Sequence, residues 1–202
     1  MAVWFTADLH LGHENIIRYC DRPFGSVDEM DRALIERWNE VVEPTDEVWV
    51  LGDVALGPIA QTLPLVGELH GRKLLLSGNH DRCWPDHGRR AEGWEARYLE
   101  AGFAEVHHGQ RRLTVESRPV LACHFPYRGD SHARDRFLEH RPVDRGDWLL
   151  HGHVHERWLQ QDRMINVGVD VWDHRPAPAA AVAALIDAGP RDLERRLEPW
   201  AS

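Results

Sequence analysis

Metal-type side chains recur in this sequence wherever a short apolar run ends. Residues 3–7, VWFTA, lead into Asp8-Leu9-His10. Residues 48–51, VWVL, lead into Gly52-Asp53, and residues 73–76 into Ser77-Gly78-Asn79-His80-Asp81. Residues 121–123 run into His124, and residues 148–150 into His151-Gly152-His153-Val154-His155. Alone, each group is weak. An Asp-x-His is commonly a turn with a capping aspartate, Gly-Asp turns are everywhere, and a single histidine after a strand is more often packed than ligating. Gly-His-x-His by itself is a polar loop or half of a metal site.

Taken together the groups point to metal binding. In an extended segment residues i and i+2 face the same way, so Asp8 with His10, and His153 with His155, are each expected to present two ligands to one place. The carboxyl ends of adjacent parallel strands converge on a shared crevice. Imidazole, carboxylate and amide oxygen without thiolate suit Mn, Fe, Zn, Co or Ni. Seven such groups hold two ions if one carboxylate bridges them, and Asp53, isolated between the other sets, is the natural bridge. Glycines beside the ligands let backbone approach closely.

Elements able to position these groups are legible. Strands are expected at residues 3–7, 48–51 and 73–76. Ser26-Val27-Asp28-Glu29 forms a capping box opening an amphipathic helix with Met30, Leu34, Ile35, Trp38 and Val41 at helical spacing, ended by Pro44. The strand–helix alternation predicts parallel strands with chemistry at their carboxyl ends. Residues 104–106, 113–116 and 119–123 read as antiparallel strands joined by tight turns, residues 148–150 and 164–171 as further strands, and the alanine-rich, then charged, tail after Pro176 as helical. No repeat or linker divides the 202 residues, which are read as one mixed α/β domain with two facing sheets.

Composition narrows the function classes. The formal net charge of -9 gives no general attraction to nucleic acid or anionic membranes. Lys73 is the one lysine among 24 basic residues, and guanidinium groups suit phosphate better than ammonium. Three scattered cysteines form no disulfide framework, no signal peptide opens the chain, and no apolar run is long enough to span a bilayer, so a cytoplasmic, non-membrane protein is expected.

The ordered motifs Asp8-x-His10, Gly52-Asp53, Gly78-Asn79-His80-Asp81, His124 and Gly152-His153-x-His155 resemble the calcineurin-like metallophosphoesterases, and "FTADLHLGHENII" and "INVGVDVW" are similar to small bacterial members. The resemblance implies a four-layered α/β/β/α sandwich of two mixed sheets flanked by helices. It would place a first divalent ion on Asp8, His10, Asp53 and His155, and a second on Asp53, Asn79, His124 and His153, with manganese the leading choice. His80 would face the substrate as general acid and Asp81 would orient it. The expected reaction is attack of an ion-bridging hydroxide on a phosphate ester, above all a phosphodiester of nucleotide or nucleic-acid type. A phosphomonoesterase acting on a small nucleotide or phosphoprotein is the alternative. A non-catalytic interaction module would be expected to lack His80 or a ligand, and none is missing.

Substrate contacts are less defined by the sequence. His13, Asn15 and Arg82 are candidates for them, with Arg22 and Arg128 behind. Residues 85–109 and 128–145, Arg- and His-bearing insertions between motifs, are the expected place of substrate selection. His87, His107 and His108 read as surface residues, and His151 as packed rather than ligating.

Overall fold

The computed structural model describes residues 1–194. Two five-stranded sheets pack face to face. The first is built from Val3–Thr6 (β1), Glu47–Val50 (β2), Arg72–Leu76 (β3) and Phe103–His107 (β4), all parallel, with Ala177–Pro178 (β10) antiparallel against β1. The second is built from Gln110–Val115 (β5), Arg118–Cys123 (β6), Leu149–His151 (β7), Gln160–Gln161 (β8) and Met164–Asn166 (β9), in the order β5-β6-β7-β9-β8. There β6, β7 and β9 run parallel, and β5 and β8 close the edges antiparallel. The expected sandwich of two mixed sheets with flanking helices is therefore present.

Strand alternation decides which layer each side chain fills. Val48, Val50 and Leu75 face the helices, where Met30, Leu34 and Trp38 of the helix Val27–Asn39 pack on them. Their neighbours Phe5, Leu51 and Leu76 face the second sheet and meet Val120, Ala122, Leu150 and Ile165. Leu121, Cys123, Leu149 and Met164 point outward from the second sheet, where Trp84 and Phe125 cover them. Strands buried on both faces explain why the sequence shows continuous apolar runs at these positions.

The capping box forms around Ser26: its Oγ accepts from the Glu29 N–H at 3.2 Å, and Glu29 accepts from the Gly25 N–H at 2.8 Å. Two expectations need correction. Residues 104–106 do not pair antiparallel; they lie in β4, parallel to β3 at the edge of the first sheet, and only β5 and β6 make the hairpin. Residues 164–171 are a strand only as far as Asn166, because the Asn166 side chain accepts from the Gly168 N–H and its carbonyl accepts from Trp172 Nε1, turning the chain into a 3-10 turn at Val169–Val171. That turn lets Gly168 bridge Ala7, so the two sheets meet just past the end of β1. The alanine-rich tail forms the helix Ala179–Asp187, and Leu193 pairs with Gln160. The charged tail that follows was expected to continue the helix, but residues 188–194 are not helical, and from residue 195 on it lies outside the described residues. Among the described residues no helix is long and apolar enough to cross a membrane.

Leu150 is fully buried between the sheets. Leu150→Ala should lower unfolding stability by about 3 kcal/mol, read as a lower urea midpoint at unchanged slope; an unchanged midpoint would mean the inter-sheet layer is not a packed core.

Candidate metal centre

The expected ligands lie on the connections just beyond the strands, and their backbone is unusual. Asp8, His10, Asp53, His153 and His155 all have positive φ, between 53° and 72°. Asp and His enter this left-handed region more readily than most residues. The convergence of Asp8 with His10 and of His153 with His155 is therefore not the alternation of an extended strand, as the sequence suggested. Left-handed turns make it, while the intervening Leu9 and Val154 are buried. Backbone bonds lock the turns together: Asp8 N–H to Gly52 O, His10 N–H to Asp53 O and Gly152 N–H to His124 O, each 3.0 Å. Glycine is needed at two contacts, since a Cβ on Gly78 would stand 2.3 Å from Asp53 Oδ1 and one on Gly152 2.7 Å from Asp8 Oδ2.

Two donor groups result. Ligand atoms of Asp8, His10 and His155 lie within 4.8 Å of one another, as do those of Asp8, Asp53 and His124. Asp53 Oδ2 sits between them, 3.7 Å from His10 Nε2 and 3.5 Å from His124 Nε2. Asn79 Oδ1 is 3.2 Å from His124 Nε2. Asp8 Oδ1 and His10 Nε2 are buried without a hydrogen-bond partner among the described residues. Burying such groups unpaired is costly, so a carboxylate oxygen and an imidazole nitrogen facing one cluster fit a cation.

The histidine hydrogen bonds support the same fit, because each ring is held through one nitrogen by a partner outside the cluster. His124 Nδ1 donates to Leu51 O at 2.8 Å. His155 Nδ1 donates to Asp170 at 3.2 Å, and His153 Nε2 to Asp130 at 3.1 Å. An outward partner of this kind fixes the tautomer and turns the other nitrogen inward. Arg22 anchors Asp170: its Nε binds Asp170 Oδ1 at 2.8 Å, while Nη2 and Nη1 donate to the carbonyls of Asp8 and Leu9 at 2.8 and 2.9 Å. Arg22 is thus a buried clamp across the ligand loops and not the phosphate contact considered from sequence.

Charges are strongly perturbed. Burial raises Asp8 to about 6. Burial disfavours charge on His155, but Asp8 and Asp170 outweigh it and lift its pKa well above the ordinary value. Burial, helped by His155 and Arg22, pushes His10 well below. For Asp170 burial opposes ionisation, yet Arg22 and His155 hold it far below the carboxylate range. Cys20 lies with His155 and Asp170, but burial pushes its thiol up to about 11, which keeps it protonated and a poor ligand.

A cleft of about 430 Å³ opens over this cluster, lined in part by His10, His13, Asp53, His80, His153 and His155. His80 is exposed, and its backbone N–H donates to Asp53 Oδ1 at 2.9 Å. The expected Asp81–His80 pair is not formed. Both oxygens of the buried Asp81 carboxylate are occupied by the N–H groups of Asp53, Val54 and Gly78 and the Tyr98 hydroxyl, at 2.8–3.2 Å. Asp81 therefore holds the Asp53 loop and has no hydrogen bond with His80.

The structure divides the other candidates. His13 lines the cleft, 3.3 Å from His10 through Nδ1. Asn15 and Arg82 are exposed and not part of its lining, and Arg128 pairs with Asp162 on the surface. His151 is fully buried, bonded to Gly152 O, and burial pushes it down to about 3. His87, His107 and His108 are half-buried against Trp84, Trp49 and Ser77. Residues 128–145 contribute Ser131, His132 and Arg136 to the lining, whereas residues 85–109 contribute none. Asp130, Asp170 and Arg136 were not singled out from sequence; only the stretch "INVGVDVW" marked the neighbourhood of Asp170.

Comparison with known proteins agrees with this geometry. The chain is 37% identical to the Gene 66 protein of Mycobacterium phage D29, over 96% of this chain and 98% of the relative. It is 35% identical to the Gene 66 protein of Mycobacterium phage L5, over 84% and 86%. A protein of unknown function from Aquifex aeolicus shares the fold, with a TM-score of 0.68 and 23% identity over 91% of this chain and 98% of that one. Residues 1–188 match the calcineurin-like phosphoesterase superfamily domain. With its ordered ligand motifs, two mixed sheets and this match across most of its length, the chain belongs to the calcineurin-like phosphoesterase superfamily.

Proposed function

We propose that this protein hydrolyses phosphate esters, phosphodiesters in preference, with two divalent ions. The first ion is assigned to Asp8, His10, Asp53 and His155, and the second to Asp53, Asn79, His124 and His153. One observation carries the reading: Asp8 Oδ1 and His10 Nε2 are buried without partners beside Asp53 Oδ2, which also faces His124. The donor set of imidazole, carboxylate and amide, with the neighbouring thiol protonated, suits manganese or another divalent transition ion. Such ions supply Lewis-acid polarisation of the phosphoryl group and activation of water near neutral pH.

The chain's own residues supply the rest. Asp53 is central, since one oxygen reaches toward His10 and His124 while the other accepts from the His80 backbone. This ties the backbone of the Gly-Asn-His-Asp turn to the Asp53 carboxylate. His80 is the exposed imidazole of the Gly-Asn-His-Asp turn and is the group to donate a proton to the departing ester oxygen. A positioned acid matters most when the leaving group is a poor one, as in alkyl phosphodiesters, which supports diesters over monoesters. The acidic net charge supports a nucleotide or single-stranded ester over tightly bound duplex.

Protein stripped with a chelator should be inactive, and restoring Mn²⁺ should return hydrolysis and raise stability by about 2.7 kcal/mol at a hundredfold excess over Kd, read as a higher melting temperature. Asp53→Asn should bind fewer than two ions per chain by elemental analysis and lose activity at least about a hundredfold. His80→Ala should keep both ions and lose about 10²–10⁴-fold in kcat on esters with poor leaving groups, with a smaller loss on nitrophenyl esters. Full activity of that variant on an alkyl diester would remove His80 from the acid role. In the substrate panel, bis-p-nitrophenyl phosphate should be cleaved with higher kcat/KM than p-nitrophenyl phosphate; the reverse order would favour a monoesterase.

A further inference from the structure

The segment between β6 and β7 carries a feature that metal binding alone does not require. Asp130 is a side chain with no exposure, and two arginines bind it. Arg141 is nearly buried, with 4% exposure. It donates to Asp130 Oδ2 at 3.1 Å, to Gly129 O at 2.7 Å, to Pro126 O at 3.3 Å and, through Nε, to Arg136 O at 2.9 Å. That set of bonds neutralises the carboxylate and fixes the loop. Arg136 adds two more bonds to Asp130 Oδ1, from Nε at 3.1 Å and Nη2 at 2.8 Å, yet its side chain stays 40% exposed. Its Nη1 has no hydrogen-bond partner among the described residues. Arg136 lines the cleft and is the one arginine or lysine among the described lining residues. Asp130 also accepts from the backbone N–H groups of His132 at 3.0 Å and Arg136 at 2.9 Å, from the Ser131 hydroxyl at 3.4 Å, and from His153 Nε2 at 3.1 Å.

We propose that Arg136 is the phosphate-holding residue of this cleft, and that Asp130 is a positioning residue tying it to the ion ligand His153. Nη2 also donates to Ser131 Oγ at 3.2 Å, so a guanidinium anchored through Nε and Nη2 keeps Nη1 in a set orientation for an anionic oxygen, with little side-chain freedom to lose on binding. The ligand class is an ester with an anionic phosphoryl group whose oxygens point away from the metal ligands. Asp130 then couples the two events. Binding of an anion at Arg136 and seating of the ion that His153 serves both bear on one carboxylate. The inference rests on the phosphoesterase reading above and adds to it the residue that recognises the substrate.

The test compares wild type, Arg136→Gln, Arg136→Lys and Asp130→Asn in Mn²⁺-loaded protein. Ion stoichiometry is measured by elemental analysis and calorimetry. Inorganic phosphate binding is measured by calorimetry, and kcat and KM with bis-p-nitrophenyl phosphate. Arg136→Gln leaves Arg141 on Asp130, so it should fold, hold two ions, bind phosphate about tenfold more weakly and raise KM more than it lowers kcat. Arg136→Lys should recover only part of the phosphate affinity. Asp130→Asn should weaken one ion equivalent by about 10–100-fold and leave the other unchanged, a split that general unfolding would not produce. Wild-type phosphate affinity and KM in Arg136→Gln, with ions bound and the diester cleaved by wild type, would overturn this inference alone. Wild-type protein that takes up no ion and cleaves no ester would overturn the phosphoesterase reading and this inference with it.

Discussion

Asp8 and Asp53 are carboxylates at 0% and 1% exposure, packed among imidazoles that are themselves buried. In a medium of low polarizability two such carboxylates repel each other and are each poorly solvated. The protein's own charges relieve this only partly: His155 becomes cationic beside Asp8, and the Asp53 pKa stays below its ordinary value despite burial, drawn down by His124 and His80. Asp8 Oδ1 and His10 Nε2 still lack hydrogen-bond partners among the described residues. The arrangement makes physical sense as a seat for positive charge, and much of the surrounding structure is explained by the need to keep these groups in place.

Two anchoring systems do that work, and they differ in depth. His155 is held by Asp170, Asp170 by Arg22, and Arg22 by the carbonyls of Asp8 and Leu9, so one buried guanidinium joins the loops that carry Asp8, His10 and His155. His153 is held by Asp130 on a segment that also forms the cleft wall. Buried ion pairs of this sort add little net stability, although breaking one by removing a single partner costs several kcal/mol. Their role here is geometric. The deep pair fixes one half of the cluster to the sheet, and the other pair links His153 to the cleft wall.

Much of this was legible in the sequence, for identifiable reasons. The strands of the first sheet are buried on both faces, so they stand out as apolar runs, and the ligands follow them because that is where neighbouring parallel strands converge. The candidate ligands stood out by type because few residues can bind a transition ion. What failed had no local signal. Arg22 and Asp170 are 148 residues apart, and His153 and Asp130 are 23 apart, so no spacing rule connects them. Asp81 follows His80 directly, which suggested a pair, but the turn sends its carboxylate back to the N–H groups of Asp53 and Val54. Extended geometry was inferred for Asp8-Leu9-His10 because alternation is the simplest way to align i with i+2; left-handed turns reach the same end.

The same contrast separates chemistry from specificity. A ligand set must contain particular donors in a particular order along converging strands, so it leaves a pattern in the sequence. A phosphate contact needs only one guanidinium at the right height above the ions. This chain has 24 basic residues, and nothing adjacent to Arg136 in sequence marks it. What distinguishes Arg136 is tertiary: a buried carboxylate shared with His153, a second arginine that already stabilises that carboxylate, and a place in the lining of the cleft. Arg82, beside the Gly-Asn-His-Asp motif, had the stronger sequence argument and lies exposed outside the cleft lining. Adjacency to a catalytic motif is therefore a weak guide to substrate contact when the motif sits on a tight turn, because successive side chains leave such a turn in different directions.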